Sequence, residues 1–292
     1  MSIYSIKEVE TLSGIKAHTL RIWEQRYDFL RPARTDTNIR HYTDEQLKLI
    51  LNVATLNRSG MKISKIAALD QKELASKVLK SYDLTTEPDS LTDSLVHAML
   101  DFDEMRFEKA LSSAMVKLGF EDAFTKLIIP FLVRTGALWS TGAVRVVQEH
   151  FISSLIRRKI CAAIDAVYVP ENRSKKKFIL FLPEGETHEL MLLYTEYLLR
   201  KNGHDVAYLG SSLPFEELPF VTSAFKPDYL VTYQTVALEQ MPFQEYLYKL
   251  SSLFSQCKII VGGNVLASNK YDLPSNCIQV NSTDDLIAAV GK

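Results

Sequence analysis

The sequence predicts a multidomain α and α/β protein in three parts: an N-terminal winged helix-turn-helix, a four-helix bundle and a C-terminal Rossmann-like α/β domain. Three observations carry this. Two short helical segments joined at Gly14 precede a basic arm within the first 42 residues. Helical periodicity then runs without strand signals from Leu91 to about Tyr168. Beyond that, short buried apolar runs alternate with helical stretches to the end of the chain.

The first part spans residues 1–70. Ser5-Ile-Lys-Glu-Val9 opens a helix that stops at Gly14, and a second helix carries His18, Thr19, Arg21, Trp23, Glu24, Gln25, Arg26 and Tyr27. An irregular arm from Leu30 to Tyr42 holds Arg31, Arg34, Arg40 and His41. Thr43-Asp-Glu-Gln46 is a capping box that starts a third helix, broken at Gly60. Residues 71–90, polar and irregular around Thr85 to Asp89, read as a linker. Residues 91–168 read as two helix pairs. Residues 177–292 supply five strands, at Phe178–Leu182, Asp205–Leu209, Tyr229–Tyr233, Lys258–Gly263 and Cys277–Val280; a helix follows each but the fourth, which ends in paired glycines. In an open parallel sheet of this kind ligands bind at the carboxyl ends of the strands.

Composition narrows the function. Net charge is −1 overall, yet residues 1–66 hold eleven Lys and Arg against seven Asp and Glu. A basic surplus confined to a helix-turn-helix suits double-stranded operator DNA, and its modest size points to a dimer or larger homo-oligomer. If Leu20 and Trp23 face inward, Arg21 and His18 face out. Arg21 can then make a bidentate contact to guanine, and His18 reaches a base or a phosphate. Tyr27, Arg31, Arg34, Arg40 and Tyr42 suit phosphate contacts. A solvated basic surface is the plainer alternative. Cys161, Cys257 and Cys277 are few, odd in number and without metal-ligand spacing, which suits reduced core residues in a cytoplasmic protein. No apolar run reaches the roughly 18 residues that span a bilayer.

In the α/β part, the loop after the first strand reads Pro183-Glu-Gly-Glu186-Thr-His188-Glu189. A histidine beside carboxylates at the top of a parallel sheet can ligate a metal, with an acid orienting its other ring nitrogen. Taken alone, acids at a helix start beside an exposed histidine explain the loop equally well.

Three stretches resemble known families. Tyr4-Ser-Ile-Lys-Glu-Val9, Thr19-Leu-Arg-Ile-Trp-Glu-Gln-Arg-Tyr27 and Asn38-Ile-Arg-His-Tyr42 are similar to the helix, recognition helix and wing of MerR-family regulators. Glu186-x-His188, the Leu209-Gly210-Ser211 turn and the Gly262-Gly263 pair resemble the cobalamin-binding domain of methionine synthases and mutases. There the histidine replaces the lower ligand of cobalt, the acid holds its far nitrogen, and the displaced nucleotide tail enters a slot lined by small residues. Trp139, nine intervening residues and then Glu149-His150 are similar to the upper motif of light-sensing regulators of the CarH and LitR kind, where these residues lie over the adenosyl face.

Together these resemblances imply a cytoplasmic transcription regulator and not an enzyme. Adenosylcobalamin is the implied cofactor, His188 the implied cobalt ligand, and dimer or tetramer formation the implied output, with light as the implied signal. The alternatives are the same regulator with a degenerate cobalamin site, acting without cofactor or through a partner protein, and a cobalamin-dependent methyl-transfer component. The pattern departs at three positions. Met191 stands where the family has Gly, Tyr233 stands at a Ser, and Ser140 stands where some light sensors carry His. Met191 and Tyr233 are larger than what they replace and narrow the tail pocket.

Overall fold

The computed structural model describes residues 3–27, 29–35, 38–70, 72–74, 77–78, 88–139, 144–168, 176–236, 241–268 and 270–290, excepting the side chains of 88–90, 137–139, 267–268 and 290. It divides into two compact units, residues 1–155 and residues 156–292.

In the first unit, β1 (Ile3–Ser5) leads into α1 (Ile6–Ser13). Ser5 and Glu8 form a reciprocal capping box, and Gly14 ends the helix at φ 70°, a left-handed conformation natural to glycine. α2 follows at Ala17–Arg26, then β2 (Ala33–Arg34) and β3 (Arg40–Thr43). The three strands form an antiparallel sheet in the order β1-β3-β2. The arm expected to be irregular is therefore a β-hairpin wing, with Asn38 at φ 63° in its tip. α3 (Asp44–Arg58) starts on the Thr43–Gln46 capping box, and α4 (Ile63–Ile66) closes this region.

Four helical stretches complete the unit and lead out of it: α5 (Pro88–Asp101), α6 (Glu104–Leu118), a third one interrupted midway, and α9 (Val146–Asp165). The interrupted stretch runs as α7 (Phe120–Ala123), a π-helical turn at Phe124–Ile128, and α8 (Ile129–Trp139). Pro130 explains the interruption. It has no N–H, and its ring would strike the carbonyl four residues back. The chain widens just before it, and the Ile129 N–H reaches back five residues to Phe124. α9 begins in the first unit and ends in the second.

Of the expected linker at 71–90, residues 71, 75–76 and 79–87 lie outside the described residues. The helix-turn-helix and the bundle pack as one unit, and a buried carboxylate joins them. All ten residues from Leu91 to Leu100 are buried, including Asp93 and His97. Asp93 pairs with Arg58 at the end of α3 and with Arg134 of α8 at 3.1 Å, and it accepts from the Thr55 hydroxyl at 3.2 Å. The same two arginines donate to the carbonyls of α1, Arg58 to Ser13 at 3.2 Å and Arg134 to Thr11 at 2.8 Å. Four helices thus meet at one carboxylate.

In the second unit, β4 (Lys177–Pro183), β5 (Asp205–Leu213), β6 (Tyr229–Tyr233), β7 (Lys258–Gly262) and β8 (Cys277–Val280) form a parallel sheet in the order β5-β4-β6-β7-β8. β4 is buried from Phe178 to Pro183, as a strand covered on both faces must be. α10 (Leu190–Lys201) follows β4, α11 (Leu218–Phe225) follows β5, and α12 (Phe243–Leu253) follows β6. α13 (Asn264–Ser268) follows β7, and α14 (Thr283–Val290) follows β8. Ile179, Phe181, Leu230, Ile259 and Val261 pack on Leu218, Phe243, Leu247 and Leu250 of α11 and α12. The expected turn at Leu209-Gly210-Ser211 lies within β5. Its register against β4 shifts at Gly210, where φ is 83°, so the chain bulges and continues instead of turning.

Two outcomes are expected from this packing. Asp93→Asn leaves two arginines short of their counter-charge in a buried setting and should cost about 3 kcal/mol or more in urea unfolding. A loss below about 1 kcal/mol, the range of exposed pairs, would show that the triad is solvated. His97 is 2% exposed, and its Nε2 has no hydrogen-bond partner among the described residues. Burial, with Arg106 and Lys48 nearby, pushes its pKa down to about 3. The unfolded chain takes up that proton near pH 6.5, so it binds more protons than the folded one below that value. Stability from this group is full above about pH 6.5 and falls by about 1.4 kcal/mol per pH unit toward pH 3. His97→Gln should flatten that slope between pH 6 and 4.5; an unaltered slope assigns it to other groups.

Candidate functional site

The helix-turn-helix face is the first candidate. Leu20 and Trp23 of α2 are buried, which turns His18, Arg21, Gln25 and Arg26 outward on the opposite side. Ile22 is also 43% exposed, so this face is not wholly polar. His18 lies 3.3 Å from the Thr19 hydroxyl. Arg31 and Arg34 are exposed on and before the wing, and Arg34 donates to Asn38 at 2.7 Å across its tip. Tyr27 is half-buried just past the end of α2.

Two expected phosphate contacts have other work. Tyr42 is fully buried, and its hydroxyl donates to Glu24 at 2.6 Å. It anchors β3 onto α2 and is not a surface residue. Arg40 donates through Nε to the other oxygen of Glu24 at 2.7 Å. Glu24 thus fixes the wing to the recognition helix, a role its sequence position did not announce.

The second candidate lies at the top of the parallel sheet. The strand order reverses between β4, at the start of this unit, and β6, and the loops after these two strands face each other there. Such a switch point is where open α/β sheets bind ligands. Glu186 joins the two loops. One carboxylate oxygen accepts from the His188 backbone N–H at 2.9 Å and lies 2.6 Å from His188 Nδ1. The other accepts from the backbone N–H groups of Thr235 at 2.6 Å and Val236 at 3.1 Å. Burial works to raise the Glu186 pKa, but the His188 ring and these three N–H groups outweigh it and hold it near 2. The carboxylate is therefore charged at neutral pH and acts only as an acceptor. That assigns the proton to Nδ1 of His188 and leaves Nε2 as the basic nitrogen. The His188 side chain is 46% exposed and the Glu186 side chain 0%.

Neighbours that sequence reasoning missed hold this loop. Ser212, not Ser211, touches it: its hydroxyl accepts from Gly185 at 3.1 Å, and its N–H donates to the Glu186 carbonyl at 3.0 Å. Ser211 is exposed on β5. Glu189 takes a hydrogen bond from Tyr208 at 2.7 Å and an ion pair from Arg157 at 2.6 Å. These partners lie 19 and 32 residues away in the chain, where no local pattern could reveal them.

Tyr233 and the paired glycines sit beside the Glu186 node. Tyr233 is 6% exposed, and its hydroxyl lies 2.8 Å from that of Thr195 on α10. Its ring lies against Gly262, where a Cβ would stand 2.6 Å from it. Gly263, at φ 109°, abuts the Gln234 backbone so closely that a Cβ would lie 2.3 Å from its carbonyl oxygen. Met191 is half-buried at the start of α10, and its carbonyl accepts from Thr195 at 2.8 Å. Of the two large residues, Tyr233 is the one whose packing closes the gap between α10 and β7.

Glu149 and His150 stand in the first turn of α9, 3.6 Å apart, with Ser153 donating to Glu149 at 2.5 Å. His150 is exposed. The side chain of Trp139, at the end of α8, and all of Ser140 lie outside the described residues. Among the described residues no group of three or more His, Cys, Asp or Glu side chains could hold a bare metal ion. A single histidine with a pinned carboxylate suits a metal whose other ligands arrive with it.

Comparisons with known proteins bear on the helix-turn-helix and on the helices behind it. Residues 4–73 match the family model described as MerR HTH family regulatory protein, and residues 91–163 match the model described as B12 binding domain. The chain is 27% identical over 275 residues to the HTH-type transcriptional repressor CarH of Myxococcus xanthus, covering 91% of each chain. It is 25% identical to the repressor CarA of the same organism, covering 88% of this chain and 85% of that one. The HTH-type transcriptional regulator MlrA of Escherichia coli is 36% identical over 73 residues, covering 25% of this chain and 30% of that one. In fold, the chain is similar to the monomethylamine corrinoid protein of Methanosarcina barkeri, with a TM-score of 0.54 and 15% identity over 70% of this chain and 99% of that one. The chain therefore carries a MerR-type helix-turn-helix over residues 4–73 and, behind it, a B12 binding domain over residues 91–163.

Proposed function

We propose that this protein is a DNA-binding transcription regulator that responds to a corrinoid. The observation that carries the reading is the His188–Glu186 pair, locked at the switch point of the sheet by the N–H groups of Thr235 and Val236. Nε2 of His188 would hold the cobalt from below. Glu186 would fix the ring and raise the basicity of that nitrogen. By resemblance, Trp139, Glu149 and His150 are the proposed corrinoid-binding residues of the helical bundle. An adenosyl corrinoid supplies a cobalt–carbon bond that light cleaves.

On the DNA side, Arg21 is the proposed base reader, with His18 beside it, and Arg31 and Arg34 are the proposed phosphate contacts. The carboxylate triad around Asp93 supports a direct route between the two functions, because it binds α5 and α8 of the bundle to α1 and α3 of the helix-turn-helix. A ligand that favours one assembly of the bundle shifts the whole population toward it, and operator occupancy follows by linkage. Homo-oligomerisation in the cytoplasm, with repression as in the named relatives, completes the reading. No enzymatic step is assigned.

Two measurements test this. Arg21→Ala should weaken operator binding by about 1–3 kcal/mol while sparing random DNA, whereas Arg34→Ala should weaken both alike and lower the salt slope by about one. Equal losses on both DNAs for Arg21→Ala would remove its base-reading role. The visible spectrum of the full chain with an adenosyl corrinoid should change on binding in the dark and again under green light, and His188→Ala should abolish the shift due to imidazole coordination. A spectrum indifferent to His188→Ala would place the corrinoid elsewhere.

A further inference from the structure

The interior directly behind the His188–Glu186 pair is already filled, and this bears on which corrinoid can occupy the site. The argument rests on the corrinoid reading above. In a full cobalamin the lower base is tethered to the ring. If His188 takes its place on cobalt, the freed base must lie close beside that histidine. By the resemblance above, the place for it lies between α10 and the ends of β6 and β7, two residues from the Thr235 N–H that holds Glu186.

Tyr233 stands in that gap. Its hydroxyl is bonded to Thr195 on one wall, and Thr195 is itself bonded to the Met191 carbonyl one turn past His188. Its ring covers Gly262 on the other wall, closer than any side chain there would tolerate. Gly263 cannot widen the gap, because its backbone already abuts that of Gln234. The Gln234 N–H donates to the Gly262 carbonyl at 2.9 Å, and the Val265 N–H to the Gln234 carbonyl at 3.1 Å, which ties the two strand ends together. Admitting a base would require Tyr233 to leave a fully packed position and give up its buried hydroxyl bond. Both changes are costly, and nothing on either wall compensates them.

We propose that this site takes the corrin ring without its nucleotide tail: the ligand that fits is a corrinoid of the cobinamide class, with the cobalt on His188. Full cobalamin then binds only with its tail held outside, and weakly. The two halves of the family's site thus part company in this chain. The metal-facing half is intact, and the tail-facing half has become core.

Titration of the purified full chain in the dark with aquacobinamide and with hydroxocobalamin tests this without any mutation. Cobinamide should bind at least about tenfold more tightly, the low end of what an overfilled pocket costs. After one-electron reduction of the bound cobinamide with added dithionite, histidine coordination should appear as nitrogen hyperfine structure in the cobalt(II) resonance, and should vanish in His188→Ala. Tyr233→Ser should raise hydroxocobalamin affinity by about tenfold or more and leave cobinamide nearly unchanged. Tyr233→Phe, which loses only the bond to Thr195, should keep the native preference. Equal affinity of the native chain for both, with the cobalamin base displaced by histidine, would overturn the filled-gap inference and leave the corrinoid reading standing. Binding of neither corrinoid, by the native chain or by Tyr233→Ser, would overturn the corrinoid reading and this inference together.

Discussion

The buried carboxylate of Asp93 is the constraint on which the first unit depends. A charge with no exposure is tolerable only if counter-charges and donors surround it. Here those donors come from α3 and α8, and the same arginines satisfy carbonyls at the end of α1. The arrangement is poor evidence of extra stability, since packed apolar residues can do as well. Its value is geometric. Few orientations of four helices bring two guanidinium groups onto one carboxylate, so the reading head is set at a fixed angle to the bundle. A regulator built this way does not wave its DNA-binding region on a tether. Any rearrangement of α5 or α8 is felt at α1 and α3 at once.

Glu186 solves a related problem by different means. It too is buried and charged, but backbone N–H groups and one imidazole neutralise it, with no arginine. Those N–H groups belong to two loops that only the strand order β5-β4-β6-β7-β8 brings together. The histidine is therefore oriented by the topology of the sheet. Ser212 and Tyr208 of β5 and Arg157 of α9 buttress the same loop, the last two through Glu189, so the half-exposed ring stands on a rigid base. Preorganisation of this kind is what a metal ligand needs if coordination is not to waste free energy on ordering the side chain.

Much of this was legible in the chain, and the exceptions share a cause. The capping boxes at Ser5 and Thr43, the stop at Gly14 and the apolar strands at Phe178 and Tyr229 follow from local rules, and each lies where those rules put it. The Glu186–His188 pair was visible because its members are two residues apart. Tyr42 was read as a surface aromatic because its partner, Glu24, lies 18 residues back. Residues 71–90 read as a linker because polarity is local, whereas Thr55 and Asp93, 38 residues apart, decide that the flanking regions are joined. Gly210 was read as a turn because glycine permits both a turn and a bulge, and only pairing with β4 distinguishes them. Periodicity reports which face is buried; it does not report against what.

The π-helical turn at Phe124–Ile128 has a consequence for how this chain can vary. An α-helix advances about 100° per residue, and a widened turn absorbs one residue without lengthening the rod. Arg134 lies beyond that turn, and its bearing toward Asp93 includes the rotation stored there. Loss of one residue between Phe124 and Ile128 would restore a plain helix with Arg134 close to its present bearing, whereas tightening the turn with all five residues kept would swing Arg134 about a quarter-turn around the axis, away from its counter-charge. Replacement of Pro130 alone would remove the reason for the wide turn while leaving the residue count unchanged. Among descendants of this sequence, further insertions should therefore be rare in these five residues, while loss of one of them should be tolerated.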